Sequence, residues 1–292
     1  MQELVVPADE SAKKLENFLK KRFPIGYVRK LFRKNGIRLN GQRAKASDAA
    51  RSGDRIQLYI PFDEGVTRPA ARRLLDTIRV IYEDESLLVI AKPAGLAVHE
   101  GKTISRSESL AGFIERNYRG QSFQPKLAHR LDKDTSGLVL LAKQQKTLEI
   151  LEDQFASGKV DKEYLCLVAG RLRADEGHID APLPGRTGKL VRAVTGYRVM
   201  RRFADTSLLK VSLETGRLHQ IRLHLAHLGH PVVLDEQHGD FNFNRRFRKT
   251  YGLKRQFLHA AKLAITWGER RYNWSAALPE DLAATLKALQ ND

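Results

Sequence analysis

"LAHRLDKDTSGLVLLAK" runs from Leu127 to Lys143. Its second half, GLVLLA, is an unbroken apolar stretch of the kind that fills a strand buried on both faces. Its first half crowds His129, Arg130, Asp132, Lys133, Asp134, Thr135 and Ser136 together. Charge at the mouth of a buried strand needs a reason. Asp134, Thr135, Ser136 and Gly137 are turn formers, and local hydrogen bonds account for Asp134. They account poorly for Asp132, which follows Leu131 and is expected nearer the apolar wall of a cleft. A carboxylate there is costly unless a cation accompanies it. That cation must come from elsewhere in the chain.

The stretch RLHQIRLHLAHLG, 217–229, offers two. Leu218, Ile221, Leu225 and Leu228 recur at helical spacing and predict one apolar face. Arg217 stands at the start of this helix, and Arg222 lies between Ile221 and Leu223, close to that face. An arginine so placed is expected to have an acidic partner. An Arg–Asp pair keeps Asp132 ionised and sets its direction. His224, His227 and His230 in the same region invite a zinc reading. Gly229 and Pro231 end the helix and turn His230 away, and no cysteine joins them, so packing, capping or phosphate contact is the better account. His129 is read as a structural hydrogen-bonder of its loop.

Composition narrows the partners. The 292 residues carry 51 Lys plus Arg against 34 Asp plus Glu, a net charge of +17. A chain this basic is expected to meet a polyanion, with nucleic acid ahead of a membrane surface. No apolar run approaches the ~20 residues that span a bilayer, and MQELVVPADES lacks the pattern of a secretory signal. With one cysteine, Cys166, no internal disulfide and no thiolate-rich zinc site can form. A cytoplasmic protein, with no membrane partner, is the simplest expectation.

The first 62 residues hold 14 basic and 6 acidic side chains, about half the excess charge in about a fifth of the chain. Asp9 and Ser11 are candidate caps for a helix bearing Leu15, Phe18 and Leu19. Pro24 and Gly26 break it, and a second helix carries Val28, Leu31 and Phe32 among Arg29, Lys30, Arg33 and Lys34. IRLNG follows, and then RIQLYIP, with Ile56, Leu58 and Ile60 inward. Residues 63–76 show no period and read as a linker. The larger domain, 77–292, reads as α+β. Its many strands do not alternate regularly with helices, which argues against a doubly wound parallel sheet. TIRVIYED and SLLVIAKP predict a hairpin around Asp84 and Glu85, and KTLEILEDQFAS predicts an amphipathic helix. GDFNFNRRFRKTYGLKRQ, 239–256, interleaves aromatic and basic residues, the composition of a nucleic-acid contact. The alternative is a surface hairpin with its aromatics packed inward.

Together, KPAGLAVH (92–99), HRLDKDTSG (129–137), KEYL (162–165) and TGRLHQIRLHLAHLGHP (215–231) resemble the RluA-type pseudouridine synthases, in the order expected of that family over nearly all of 77–292. Ser11 to Pro61, with its basic second helix and IRLNGQRAK, resembles an S4 RNA-binding domain. An S4 module ahead of such a catalytic domain is similar to the members that act on large-subunit ribosomal RNA, and 239–261 is similar to the subtype that modifies several uridines there. The resemblance implies a small α/β S4-like domain, then a mixed, mostly antiparallel sheet of the pseudouridine synthase type. It implies roles as well. Asp132 is the catalytic carboxylate. Arg130 enters the RNA helix where the target uridine has left it, Tyr164 stacks on the uracil, and Arg222 pairs with Asp132. Lys92 to Gly95 is a family motif taken as structural. Leu218 stands where a Thr is common, and His238 where a Tyr is common.

The implied reaction breaks the N1–C1′ bond, turns the base and joins C5 to C1′. No atoms are gained or lost, so no cofactor is expected. An ionised Asp can act as nucleophile or as base on the sugar. The nucleotide must leave its stack for both C1′ and C5 to be reached, and an aromatic face holds a detached base by ~1–3 kcal/mol. Without the resemblance, Tyr164 reads as an ordinary core tyrosine of a strand. A monomer is the expected state. Three rival readings stand beside this one. In the first, a metal-dependent RNA nuclease holds magnesium through Asp132, Asp134, Asp235 and Asp240. The second is a non-catalytic RNA-binding assembly factor. The third, a serine hydrolase using Ser136, lacks the nucleophile-elbow pattern.

Overall fold

The structure is a computed structural model that describes residues 2–10, 12, 14–23, 25–59, 69–101, 104–185 and 187–291. The chain forms two compact units, Met1–Arg73 with His99–Phe113, and Leu74–Val98 with Ile114–Asp292.

In the first unit, β1 (Gln2–Val5), α1 (Leu15–Lys20), α2 (Ile25–Arg33), β2 (Ile37–Leu39), β3 (Gln42–Arg43) and β4 (Arg55–Leu58) build a four-stranded antiparallel sheet, ordered β1-β4-β2-β3, with two helices. Leu15, Phe18 and Leu19 of α1 and Val28 and Leu31 of α2 bury with Ile37, Ile56 and Leu58. Arg29, Lys30, Arg33 and Lys34 stay exposed, so helical spacing separates an apolar face from a basic one. Asp9, one of the expected caps, does not close α1. Its N-cap is Lys14, with no side-chain hydrogen bond. The first-turn amides of Leu15 and Glu16 instead donate to the carbonyls of Asp48 and Ala46, which satisfies groups that a capping side chain would otherwise serve. Ser11, Pro24, Ile60 and residues 63–68 of the expected linker lie outside the described residues. The rest of that stretch is not extended: α3 (Pro69–Asp76) is helical and opens on a proline, whose fixed φ suits a first turn.

The remaining elements are β5 (Arg79–Glu83), β6 (Leu87–Lys92), α4 (Leu110–Asn117), β7 (Lys126–Leu127), β8 (Ser136–Ala142), α5 (Gln145–Ala156), β9 (Asp161–Ala169), β10 (Glu176–Asp180), β11 (Leu183–Pro184), β12 (Leu190–Val191), β13 (Val194–Arg202), β14 (Thr206–Leu213), α6 (Gln220–His227), α7 (Phe241–Tyr251), β15 (Leu258–Trp267), β16 (Arg270–Ser275) and α8 (Glu280–Leu289). Ten strands form one mixed sheet, ordered β10-β13-β14-β9-β15-β8-β6-β5, with β16 on β15 and β7 on β8. Among the described strands of this sheet only β15 and β8 run parallel. The β5–β6 turn is closed by Asp84, whose Oδ1 accepts from the amides of Ser86 and Leu87.

Every residue of β8 is buried, as its apolar density predicts for an interior strand. Its entry demands a glycine. Gly137 has φ +122°, and a Cβ there would lie 2.2 Å from the Ala260 carbonyl oxygen on β15. That close approach sets where the loop bearing Asp132 meets the sheet. Segment 241–251 is a helix, not a hairpin. Asp240 caps it by accepting from the Phe243 amide, and Gly252 ends it at φ 71°. Phe243 and Phe247, one turn apart, bury with Leu167 of β9 and Leu282 and Leu289 of α8.

Candidate active site

Asp132 lies in the loop between β7 and β8, where its carbonyl accepts from the Thr135 amide at 3.2 Å. Three other segments fix this loop. Lys92, at the end of β6, donates to the carbonyls of Pro93, Leu96 and Lys133 at 2.9, 2.9 and 3.0 Å. Burial pushes the Lys92 ammonium down to about 7, while nearby Asp134 and Asp132 act the other way. Three carbonyl acceptors match the three donors of a charged ammonium. The Gly95 amide adds a bond to the Lys133 carbonyl. From the segment after α7, Gln256 donates to Thr135 Oγ1 at 2.8 Å and Arg255 to Ser136 Oγ at 3.2 Å. His259 Nδ1 lies 2.9 Å from the same serine oxygen. Ser136 is therefore enclosed by an arginine and a histidine in the interior, with no place as an open nucleophile.

Beside the loop is a cavity of about 520 Å³, lined among others by Arg130, Leu131, Asp132, Tyr164, His219 and Arg222. The four residues singled out from the sequence thus border one space. Arg130 is exposed at its rim. Tyr164 is buried in β9 between Val211 of β14 and Ala260 of β15. Burial, and then repulsion from Asp132, raise its phenol well above the ordinary tyrosine value, so it stays neutral.

Arg222 comes from α6 and joins two carboxylates. Its Nη1 donates to Asp132 Oδ2 at 2.9 Å. Its Nε and Nη2 grip Asp235 Oδ2 and Oδ1, both at 2.7 Å, and Nη2 also donates to Gln237 Oε1 at 3.0 Å. The Asp235 side chain is 1% exposed and that of Asp132 20%. Burial by itself would raise the Asp235 carboxyl. The bonds from Arg222 and the amides of Gln237 and His238 outweigh it and hold the group below the usual carboxylate range. Burial would likewise weaken the Arg222 charge, and the two carboxylates reverse that. Arg217, the other candidate cation, points elsewhere: its Nε donates to the Arg192 carbonyl.

Asp132 Oδ1 faces His219, whose Nε2 is 3.8 Å away. Sequence alone leaves Arg217 and Arg222 open as partners of Asp132, the family resemblance implies Arg222, and neither gives Asp235, Gln237, His219 or His238 such a role. Asp235 carried one usable signal. It follows the apolar run Val232-Val233-Leu234, the same setting that made Asp132 conspicuous, and a guanidinium has more donors than one carboxylate uses.

Of the carboxylates of the magnesium reading, Asp240 caps α7, and Asp132 and Asp235 are both bound to Arg222. Among the described residues no group of three or more His, Cys, Asp or Glu side chains is arranged to hold a metal ion. His224 lies against Thr195 Oγ1 and the Ala181 carbonyl, and His230 against the Ala169 carbonyl. His129 accepts from the Leu140 amide and stacks on Phe155, and burial pushes it down to about 3. No helix among the described residues is long and apolar enough to cross a membrane.

Residues 86–227 match the RNA pseudouridylate synthase family. The chain is 34% identical over 285 residues to ribosomal large subunit pseudouridine synthase C of Salmonella typhi, covering 90% of this chain and 88% of that one. It is 33% identical to the protein of that name from Vibrio cholerae, covering 88% and 86%. The chain belongs to the RNA pseudouridylate synthase family. This enzyme, an isomerase, shares its fold with a solved structure, human RNA pseudouridylate synthase domain containing 4, at a TM-score of 0.62 and 25% identity over 76% of this chain and 95% of that one. The family match spans Arg130, Asp132, Tyr164, His219 and Arg222 of the synthase and stops before Asp235 and His238.

Proposed function

We propose that this synthase converts specific uridines of large-subunit ribosomal RNA to pseudouridine, with Asp132 as the catalytic carboxylate. The observation that carries the assignment is the single hydrogen bond from Arg222 to Asp132 Oδ2, which leaves Oδ1 outside that pair on a side chain that lines the cavity. An oxygen held in that way can attack C1′ or accept a proton from the sugar. Arg130, exposed at the rim, fills the gap left in the RNA stack. That offsets part of the few kcal/mol needed to unstack a base. Tyr164 offers its ring to the detached uracil. Stacking holds the base while leaving it free to turn in its own plane, which directional hydrogen bonds would resist. Reactant and product are isomers, so no co-substrate is consumed and no cofactor is expected.

The substrate class follows from the named relatives and from charge. Residues 1–62 form an S4-like RNA-binding domain in this reading, 63–76 a connecting segment and 77–292 the catalytic domain. The exposed Arg29, Lys30, Arg33 and Lys34 follow RNA phosphates. Arg245, Arg246, Arg248 and Lys249, exposed on α7, extend that contact. The enzyme works in the cytoplasm, as a monomer.

The test is Asp132→Asn. Pseudouridine is mapped in large-subunit ribosomal RNA from cells that lack the gene and carry either wild type or the variant. We expect wild type to restore specific pseudouridines. The variant should lose turnover by at least about 10⁴-fold, the upper range for a positioned acid–base group, while RNA binding survives. A variant that turns over near the wild-type rate sinks the assignment of Asp132.

A further inference from the structure

A ring of contacts closes around the Asp132 carboxylate. Arg222 joins Asp132 to Asp235. Asp235 Oδ1 accepts from the backbone amide of His238 at 3.1 Å. His238 Nε2 lies 3.1 Å from His219 Nδ1, and His219 Nε2 returns to within 3.8 Å of Asp132 Oδ1. His219 lines the cavity. Its backbone is left-handed, with φ 53° and ψ 24°, at the N-cap of α6. A non-glycine residue in that region carries strain of order ~1–3 kcal/mol and persists where the surroundings enforce it. Here the strained residue presents an imidazole to the free oxygen of Asp132.

This inference rests on the reading of Asp132 given above. We propose that His219, backed by His238, is the base that takes the C5 proton of the turned uracil and passes it on, completing the isomerisation. The chemistry requires such a group. Once C5 has bonded to C1′, that carbon bears both the sugar and its original hydrogen, and the ring holds an N1=C6 double bond. The C5 proton must leave. The C5–H pair then restores C5=C6, the former N1=C6 pair returns to N1, and N1 takes up a proton. The net change is one proton moved from C5 to N1, with no oxidant or further reactant. Asp132 has one oxygen bonded to Arg222 and the other assigned to the sugar, so a second group beside it divides the labour.

A neutral imidazole suits the task. With Nδ1–H donating to His238 Nε2, His219 keeps a bare Nε2 toward the cavity. The opposite tautomer, with His238 donating, holds the proton on that same nitrogen, ready for delivery. Burial lowers the His219 pKa below its ordinary 6.5, opposed by Asp132, reinforced by Arg222 and His238, and opposed again by Asp235. Among the described residues these are the groups whose charge acts most on it, and Arg130, Tyr164 and Arg217 line the same cavity. At neutral pH the ring is therefore a base.

The test uses full-length large-subunit ribosomal RNA transcribed with uridine carrying deuterium or hydrogen at C5. Single-turnover formation of pseudouridine is followed by mass spectrometry for wild type, His219→Gln and His238→Phe across pH. We expect His219→Gln to slow turnover by about 10²- to 10⁴-fold. A primary isotope effect should appear that is larger than in wild type, because C5–H cleavage becomes the slow step. The fall in wild-type rate as pH drops through the His219 value should vanish in that variant. His238→Phe should show the same signature, more weakly. A merely structural histidine would slow the reaction without an isotope effect. That outcome, or a His219→Gln rate within a few-fold of wild type, overturns the proposal. A wild-type enzyme that forms no pseudouridine overturns the functional reading and this inference together, whereas a working wild type beside an unimpaired variant overturns this inference alone.

Discussion

The two sides of Arg222 differ sharply. On one, Asp235 is sealed from solvent, gripped through two donors and bonded to two backbone amides. On the other, Asp132 receives one hydrogen bond and opens onto the cavity. The same charge pair is thus built twice, once sealed as a support and once half-buried at the cavity. Breaking a buried ion pair costs about 3–5 kcal/mol, because an uncompensated charge stays inside. A partly exposed pair is worth about 0–1 kcal/mol. The difference teaches that, in the proposed reading, stability and reactivity fall to separate carboxylates around one cation.

Substitutions can break that contrast. The largest expected effect is kinetic: Asp132→Asn should abolish turnover, yet shift unfolding by no more than about 1 kcal/mol, measured by urea denaturation. Next, Asp235→Ala should cost about 3–5 kcal/mol and also reduce turnover, because Arg222 loses its anchor. If Asp235→Ala unfolded at the wild-type urea midpoint, the supporting role would be refuted. The pH dependence sharpens the point. The folded Asp235 carboxyl is depressed below its ordinary 3.8, so its stabilising contribution is complete above that pH. It is lost as pH falls through the lower folded value. Asp235→Asn lacks this titration, and its stability should decline less steeply with acid below pH 3.8 than that of wild type. The smallest effects belong to the surface of α7. Phe241, 78% exposed, should give less than about 0.5 kcal/mol of stability change as Phe241→Ala. The paired change Arg245→Ala and Arg246→Ala should weaken RNA binding and flatten its salt dependence, by about one unit of slope for each phosphate no longer neutralised. An unchanged slope would remove α7 from the RNA-binding surface.

Legibility in the sequence followed the same division. The apolar setting of Asp132 shows that it needs a cation and leaves Arg217 and Arg222 as candidates, and the family resemblance selects Arg222. The interior place of β8 was legible from GLVLLA. From sequence Asp235 enters only as a magnesium ligand of the nuclease reading, since nothing local shows that the preceding apolar run goes inside. His219 and His238 stand well apart in the chain, and only tertiary packing makes them neighbours. The helix α7 was missed for a different reason. Its aromatic and basic content drew a compositional reading, although Asp240 and Gly252 mark a helix start and stop, and Phe243 and Phe247 are one turn apart. In α1 the local cap signal misled, because carbonyls from residues 46 and 48 satisfy the first-turn amides in place of a side chain.

Arg222 commits four of its five N–H groups to fixed acceptors, and the Lys92 ammonium ties down the loop beside Asp132. If Asp132 is the catalytic group proposed above, an acid so tethered does not travel to meet its target. The nucleoside has to make the whole journey, so discrimination among uridines falls on how cheaply each one swings free of its neighbours. A strand stiffened at the target should be spared even when its letters are unchanged.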